Sequence, residues 1–136
     1  MNTKLLDIRQ IDMRKVEKLY NDAGWSAYTE DLDVLESALT HSLDVITAWE
    51  DEELIGLIRT VGDGQTILYI QDILIMKSHR DKGIGSMLLQ EVLEKYKHVR
   101  QKVLLTEEAR NVRHFYEKNG FESCDRGTLV AFARFK

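Results

Sequence analysis

Apolar positions along this chain follow two periods in turn, and the points where one gives way to the other mark its elements. Lys4 to Gln10 alternates weakly, as a short strand would. Met13, Val16, Leu19 and Tyr20 then share one helical face behind Asp12, a residue suited to cap a helix that runs to about Asp22 and stops at Gly24. After the aromatic loop Trp25-Ser26-Ala27-Tyr28-Thr29, the inward set Leu32, Leu35, Ala38 and Leu39 predicts a second helix from Asp31 to about His41. Two consecutive helices joined by an aromatic loop would make a flap.

From Asp44 the pattern becomes extended. Val45 to Glu50 and Leu54 to Val61 are β-branched and aromatic runs around a polar Asp51-Glu52 turn, which reads as a hairpin. Gly62-Asp63-Gly64 signals a second turn into the long apolar run Ile67 to Ile75. Past a glycine-bearing turn, Ile84, Leu88, Val92 and Tyr96 predict a helix to about Lys97, and Val103-Leu104-Leu105 a buried strand. Strand, helix and strand in this order imply a parallel crossover. Glu107 to Lys118 reads as a further helix closed by Asn119-Gly120, with a terminal strand pair at Phe121–Cys124 and Leu129–Phe135. The expected fold is α/β, or α+β by a stricter label. It has a mixed, mostly antiparallel sheet of about six to seven strands flanked by about four helices in one domain, 1–136.

Composition narrows the function. A chain of 136 residues, 43% hydrophobic and 31% charged, can bury a core without metal or disulfide. Its formal net charge of −4 argues against nucleic-acid binding by bulk electrostatics. The single Cys124 excludes an internal disulfide and fits a reducing compartment, so the cytoplasm is the expected location. No Cys/His set has structural-zinc spacing, and no run reaches the roughly 20 apolar residues that span a bilayer. No metal, nucleic acid or membrane partner is expected.

The chemistry concentrates at Arg80-Asp81-Lys82-Gly83-Ile84-Gly85-Ser86, between an apolar strand and an amphipathic helix. The first turn of a helix has backbone N–H groups without partners and the positive end of the peptide dipole, so glycines there admit a phosphate. Arg80 and Lys82 add positive charge. Gly83-Ile84-Gly85 fails as a dinucleotide fingerprint, because Leu88 stands where the third glycine belongs, and no phosphate loop of the GxxxxGK[ST] type occurs.

The wider pattern, Arg80-x-x-Gly83-x-Gly85 after a strand with Phe115-Tyr116-Glu117-Lys118-Asn119-Gly120-Phe121 downstream, resembles the GNAT superfamily of acetyl-coenzyme-A-dependent N-acetyltransferases. The resemblance implies that backbone amides of Arg80, Asp81, Lys82, Gly83, Ile84, Gly85 and Ser86 cradle the pyrophosphate of acetyl-CoA. It also implies that the backbone of Ile73, Leu74 and Ile75 pairs with the pantetheine arm like an added strand, which requires a splayed strand edge. Read without the family, Ile73 to Ile75 is a core strand.

Tyr116 matches the family tyrosine that protonates the departing thiolate. A phenol near pKa 10 can donate to a leaving thiolate of pKa about 8.5 while staying protonated at neutral pH. Asp72, just before the pantetheine residues and flanked by Ile70, Ile73 and Leu74, is expected to be partly buried. It is either the base for the acceptor amine or a carboxylate that binds the substrate cation or bonds locally. Trp25 and Tyr28, with Glu30 and Asp31, fall where the family places the acceptor pocket, and they suit an amine with apolar or aromatic bulk unless they simply pack the flap. His79 and His114 are expected to be exposed. Lys77 replaces a frequent family proline and Ala109 a frequent asparagine, so the strand exit is expected to be looser and that asparagine's contact to be missing.

These readings converge on direct acetyl transfer from acetyl-CoA to a primary amine of a small molecule, by a monomer or a homodimer. A non-catalytic acyl-CoA sensor and an acetyltransferase of protein termini or lysines remain as alternatives.

Overall fold

The structure is a computed structural model that describes residues 2–136. The chain divides after Leu105 into two compact units, taken here in turn.

In the first unit, β1 (Thr3–Asp7), β2 (Asp44–Glu50), β3 (Glu53–Gly62), β4 (Ile67–Ile75) and β5 (Gln101–Leu104) lie side by side in sequence order. The pairs β1/β2, β2/β3 and β3/β4 are antiparallel, and β4/β5 is parallel. The parallel step is made by α4 (Ile84–Lys95), the crossover that the strand-helix-strand order predicts. From Leu54 to Thr60 every residue of β3 is buried, so both faces of the sheet are covered and the apolar run is continuous. The cover comes from α1 (Met13–Asp22) against β3 and β4, and from α4 against β2, β3 and β4. Tyr20, Leu35, Leu57, Ile58, Leu68 and Leu88 are almost fully buried, each worth about 1.5–3 kcal/mol of transfer free energy.

The flap contains α1, a four-residue α2 (Ser26–Thr29) and α3 (Leu32–Thr40). Asp12 caps α1 by accepting from the Arg14 amide at 3.0 Å, and Asp31 caps α3 by accepting from the Val34 amide at 3.2 Å. The aromatic loop closes one helical turn, which brings the α-helices among the described residues to five where about four are predicted.

Gly62 is required where β3 turns into β4. Its φ is +137°, and a Cβ there would meet the Ile67 carbonyl oxygen at 2.5 Å. The next residue, Asp63, accepts from the amides of Gln65, Thr66 and Ile67 at 2.8, 2.8 and 3.0 Å, and these bonds hold its carboxyl well below the usual range.

The second unit contains α5 (Arg110–Lys118), which starts three residues after the predicted Glu107 and ends at Asn119 and Gly120, the latter at φ +91°. The expected terminal strand pair does not form. Arg113 donates to Ser123 Oγ at 3.1 Å and to Asp125 Oδ2 at 2.8 Å, beside a 3-10 turn at Cys124–Arg126 that begins on the last residue of the first predicted strand. Leu129 to Phe135 alternates as a strand would but has no ladder partner, and Phe132 stays 91% exposed. The sheet of the described residues therefore has five strands instead of six to seven. Apolar alternation reports local preference, and a strand also needs an edge to pair with.

Candidate active site

The glycine turn begins where β4 ends. A 3-10 turn at Lys77–His79 leads into Arg80, which is extended, then Asp81 at φ +63° and Gly83 at φ +81°, which opens α4. Two left-handed residues flanking Lys82 curl the backbone into the concave form that gathers amides around an anion. α1 and α3 start on capping aspartates, whereas no side chain caps α4 and no acidic residue stands in its first turn. The positive end of this twelve-residue helix is of the kind that suits an anion. Arg80 and Lys82 are exposed beside it.

His79 corrects an expectation, because it is buried at 8% exposure. Its Nε2 lies 3.2 Å from Glu50 Oε2 and its Nδ1 2.7 Å from Ser78 Oγ, which ties the turn to β2. The Lys77 amide donates to Asp22 Oδ2 at 2.7 Å, so the exit is fixed to α1 where a loose one was expected. His114 is exposed as expected.

Two irregularities set β4 apart. β5 pairs with it only from Ile67 to Ile70, which leaves Gln71 to Ile75 without a strand partner on that side. On the other side Arg59 faces Asp72 and Thr60 faces Ile70, so Gln71 is the extra residue of a β-bulge. Ile73, Leu74 and Ile75 therefore lie on a stretch of β4 that β5 does not pair with.

The bulge aims Asp72 into a buried cluster. Its Oδ2 accepts from Arg59 Nε at 2.7 Å and from the Tyr20 hydroxyl at 2.9 Å, and its Oδ1 accepts from the Tyr28 hydroxyl at 2.9 Å. Gln71 Nε2 donates to Tyr28 Oη at 3.1 Å, and Arg59 Nη1 reaches Ser42 Oγ at 3.5 Å. Burial, reinforced by the Asp72 charge, raises the phenols of Tyr20 and Tyr28 above their ordinary range, so both remain proton donors. For Arg59, burial opposes the charge, yet the Asp72 carboxylate outweighs it and holds the guanidinium protonated.

Trp25 closes the cluster. Its ring stacks on Tyr28 with centroids 6.0 Å apart, and Tyr20 meets it edge-on at 6.1 Å. Trp25, Tyr28 and Asp72, reached by separate lines of sequence reasoning, therefore form one constellation. Asp72 is only 1% exposed, more deeply buried than expected. Sequence reasoning missed Arg59, Tyr20, Gln71 and Ser42. The available signal was one cation in the apolar run 54–61 and one anion in the apolar run 67–75.

In the second unit, Tyr116 is half-buried on α5 and meets Phe115 and Phe121 edge-on at 5.0 and 5.8 Å. A separate cavity of about 460 Å³, lined by Arg9, Ile11, Met13, Asp33, Glu36 and His41 among others, contains none of the predicted site residues. Among the described residues no group of three or more His, Cys, Asp or Glu could hold a metal ion, and no helix is long and apolar enough to cross a membrane.

The sheet is thus mixed, and its bulged fourth strand, unpaired with β5 beyond Ile70, runs into a glycine turn at the mouth of a helix. The chain belongs to the acetyltransferase (GNAT) family, whose model matches residues 5–121, and it is accordingly an acetyltransferase. A solved GNAT-family acetyltransferase of Streptococcus pneumoniae is 31% identical, covers 99% of this chain with 98% of its own, and superposes with a TM-score of 0.88. A Gibberella zeae protein named as an acetyltransferase is 36% identical over 73 residues, 52% of this chain, and the match spans only 40% of that protein's length. An aminoglycoside acetyltransferase from an uncultured soil metagenomic sample shares the fold at 17% identity, with a TM-score of 0.74 and full coverage of both chains.

Proposed function

We propose that the protein is an N-acetyltransferase that moves the acetyl group of acetyl-CoA directly onto a primary amine of a small molecule. The observation that carries this reading is the pairing of an uncapped α4 N-terminus, opened by left-handed Gly83, with a β4 edge that has no strand partner beyond Ile70. The first suits a pyrophosphate held by amides from Arg80 to Ser86. The second suits an amide-bearing pantetheine arm laid along Ile73 to Ile75. Both features lie on one stretch of chain, 73–86, as one elongated substrate requires.

In this reading Tyr116 gives its proton to the sulfur that leaves, and the cluster around Asp72 meets the acceptor. The Trp25 and Tyr28 rings favour a small acceptor with apolar or aromatic bulk over a peptide chain. Direct attack needs positioning and proton management and no enzyme nucleophile. Cys124 is exposed in the 3-10 turn after α5 and has no part in it.

The experiment is a thermal shift with acetyl-CoA followed by thiol release across arylalkylamines, polyamines, amino acids and peptides. The reading expects stabilisation by acetyl-CoA and thiol release with small amines. Stabilisation with no thiol release from any acceptor would favour an acyl-CoA sensor, and release with peptides alone would favour a protein acetyltransferase.

A further inference from the structure

We infer that the acceptor amine enters this site uncharged and donates an N–H to the Tyr28 hydroxyl, while Asp72 and Arg59 act on Tyr28 as positioning residues. This inference rests on the acetyl-transfer reading above and specifies its acceptor.

Asp72 is out of reach of an acceptor. Its side chain is completely buried, and three donors from α1, α2 and β3 already converge on its two oxygens. An amine could approach it only by displacing Arg59 or a phenol, each held by packing as well as by its hydrogen bond. Of the three donors to Asp72, Tyr28 is the one that is partly exposed. A phenol donates one proton and accepts chiefly along one direction in the plane of its ring. Here the proton goes to Asp72 at 2.9 Å and the acceptor direction to Gln71 at 3.1 Å. Gln71 is exposed, so an N–H of the acceptor takes its place there, and Asp72 fixes the rotation of the hydroxyl so that this direction faces away from the carboxylate.

Charge decides which form of the amine fits. The titratable and charged groups facing Tyr28 are Tyr20 from α1, Arg59 from β3 and Asp72 from β4, and Arg59 cancels Asp72. An ammonium would give up its hydration in a cluster with no net negative charge to replace it. A neutral amine gives up much less and gains the Trp25 and Tyr28 rings as an apolar wall.

Proton balance permits this. The lone pair of the neutral amine forms the C–N bond as the C–S bond breaks with its electron pair on sulfur. The surplus proton on nitrogen equals the one that the thiolate needs, so amide and free thiol form with no net proton left for an enzyme base. The acceptor class is then a primary amine with aromatic or apolar bulk and low basicity. An alkylamine of pKa about 10.4 is neutral at pH 7 in only about one molecule in 2,500.

Calorimetric titration of benzylamine into the protein–CoA complex, at a pH below the pKa of the amine and in two buffers of different ionisation enthalpy, counts the protons exchanged on binding. We expect about one proton released per benzylamine bound. Binding without proton release would overturn the inference, as would the absence of binding by benzylamine. In turnover with primary amines of graded basicity, the acid-side break in kcat/KM should follow the pKa of each amine. Asp72→Asn should lower kcat/KM about tenfold without moving that break, the scale of one hydrogen bond to a charged group. A break at one fixed pH for every amine that disappears in Asp72→Asn would make Asp72 the base and overturn the inference. Thiol release from no amine at all would instead overturn the acetyl-transfer reading, whereas the proton count reads the charge state of the bound amine without turnover.

Discussion

Arg59 meets Asp72 across adjacent strands at 2.7 Å, with side chains only 8% and 0% exposed. A guanidinium and a carboxylate so placed have lost their water and depend on each other. Arg59→Met should therefore destabilise the protein by about 3–5 kcal/mol, because it leaves the buried Asp72 carboxyl without its partner. Combining it with Asp72→Leu should restore most of that loss. Urea unfolding of the three chains checks this, and additive losses in the double variant would show that the pair is not the source.

Gly83→Ala tests the cradle. Nothing lies within 4 Å of the position a Cβ would take, so the cost comes from the left-handed φ of +81° and not from a clash. Stability should fall by about 1–2 kcal/mol. If the residue relaxes out of the left-handed region the amides turn away from the anion, and acetyl-CoA affinity should drop about tenfold, the equivalent of 1.4 kcal/mol. Thermal unfolding and an acetyl-CoA titration measure the two effects separately.

Tyr116→Phe should lower kcat by about a hundredfold, the low end of general-acid contributions, while acetyl-CoA affinity stays within a factor of two. The ring contacts with Phe115 and Phe121 survive the change. Steady-state kinetics with a cofactor titration is the check, and wild-type turnover would remove Tyr116 from the mechanism.

The turn after α5 predicts a pH response. The hydrogen bond from Arg113, followed by that from Ser123, lowers Asp125 to about 2 from an ordinary 3.8. A lowered folded pKa contributes stability that is present above the unfolded value and lost as pH falls through the folded one. The turn should thus be intact above pH 3.8 and open on acidification toward about 2. Arg113→Gln should return Asp125 toward its ordinary value, as an NMR titration of its carboxyl would read.

The sequence makes the glycine turn legible because one residue type reports two requirements there, a left-handed φ at Gly83 and a helix mouth without a capping side chain. Trp25 and Tyr28 were legible as an aromatic pair, and Asp72 as an anion among apolar neighbours. Their meeting was not, because it depends on a register that slips by one residue at Gln71, and no local pattern encodes a bulge. Arg59 was hidden for the same reason: until β3 and β4 are paired, a lone arginine in a strand reads as a surface residue. Tyr20 read as core, and it is core. What its position in the helix could not reveal is that its hydroxyl ends on a carboxylate 52 residues away.

The most direct test of acetyl transfer to small amines is to incubate the protein with deuterated acetyl-CoA and a panel of primary amines, then follow labelled products by mass spectrometry alongside free thiol. The account predicts labelled N-acetyl product from aromatic or apolar amines in equal amount to the CoA released. Binding of acetyl-CoA with no labelled amide, and thiol release no faster than in buffer, would contradict it.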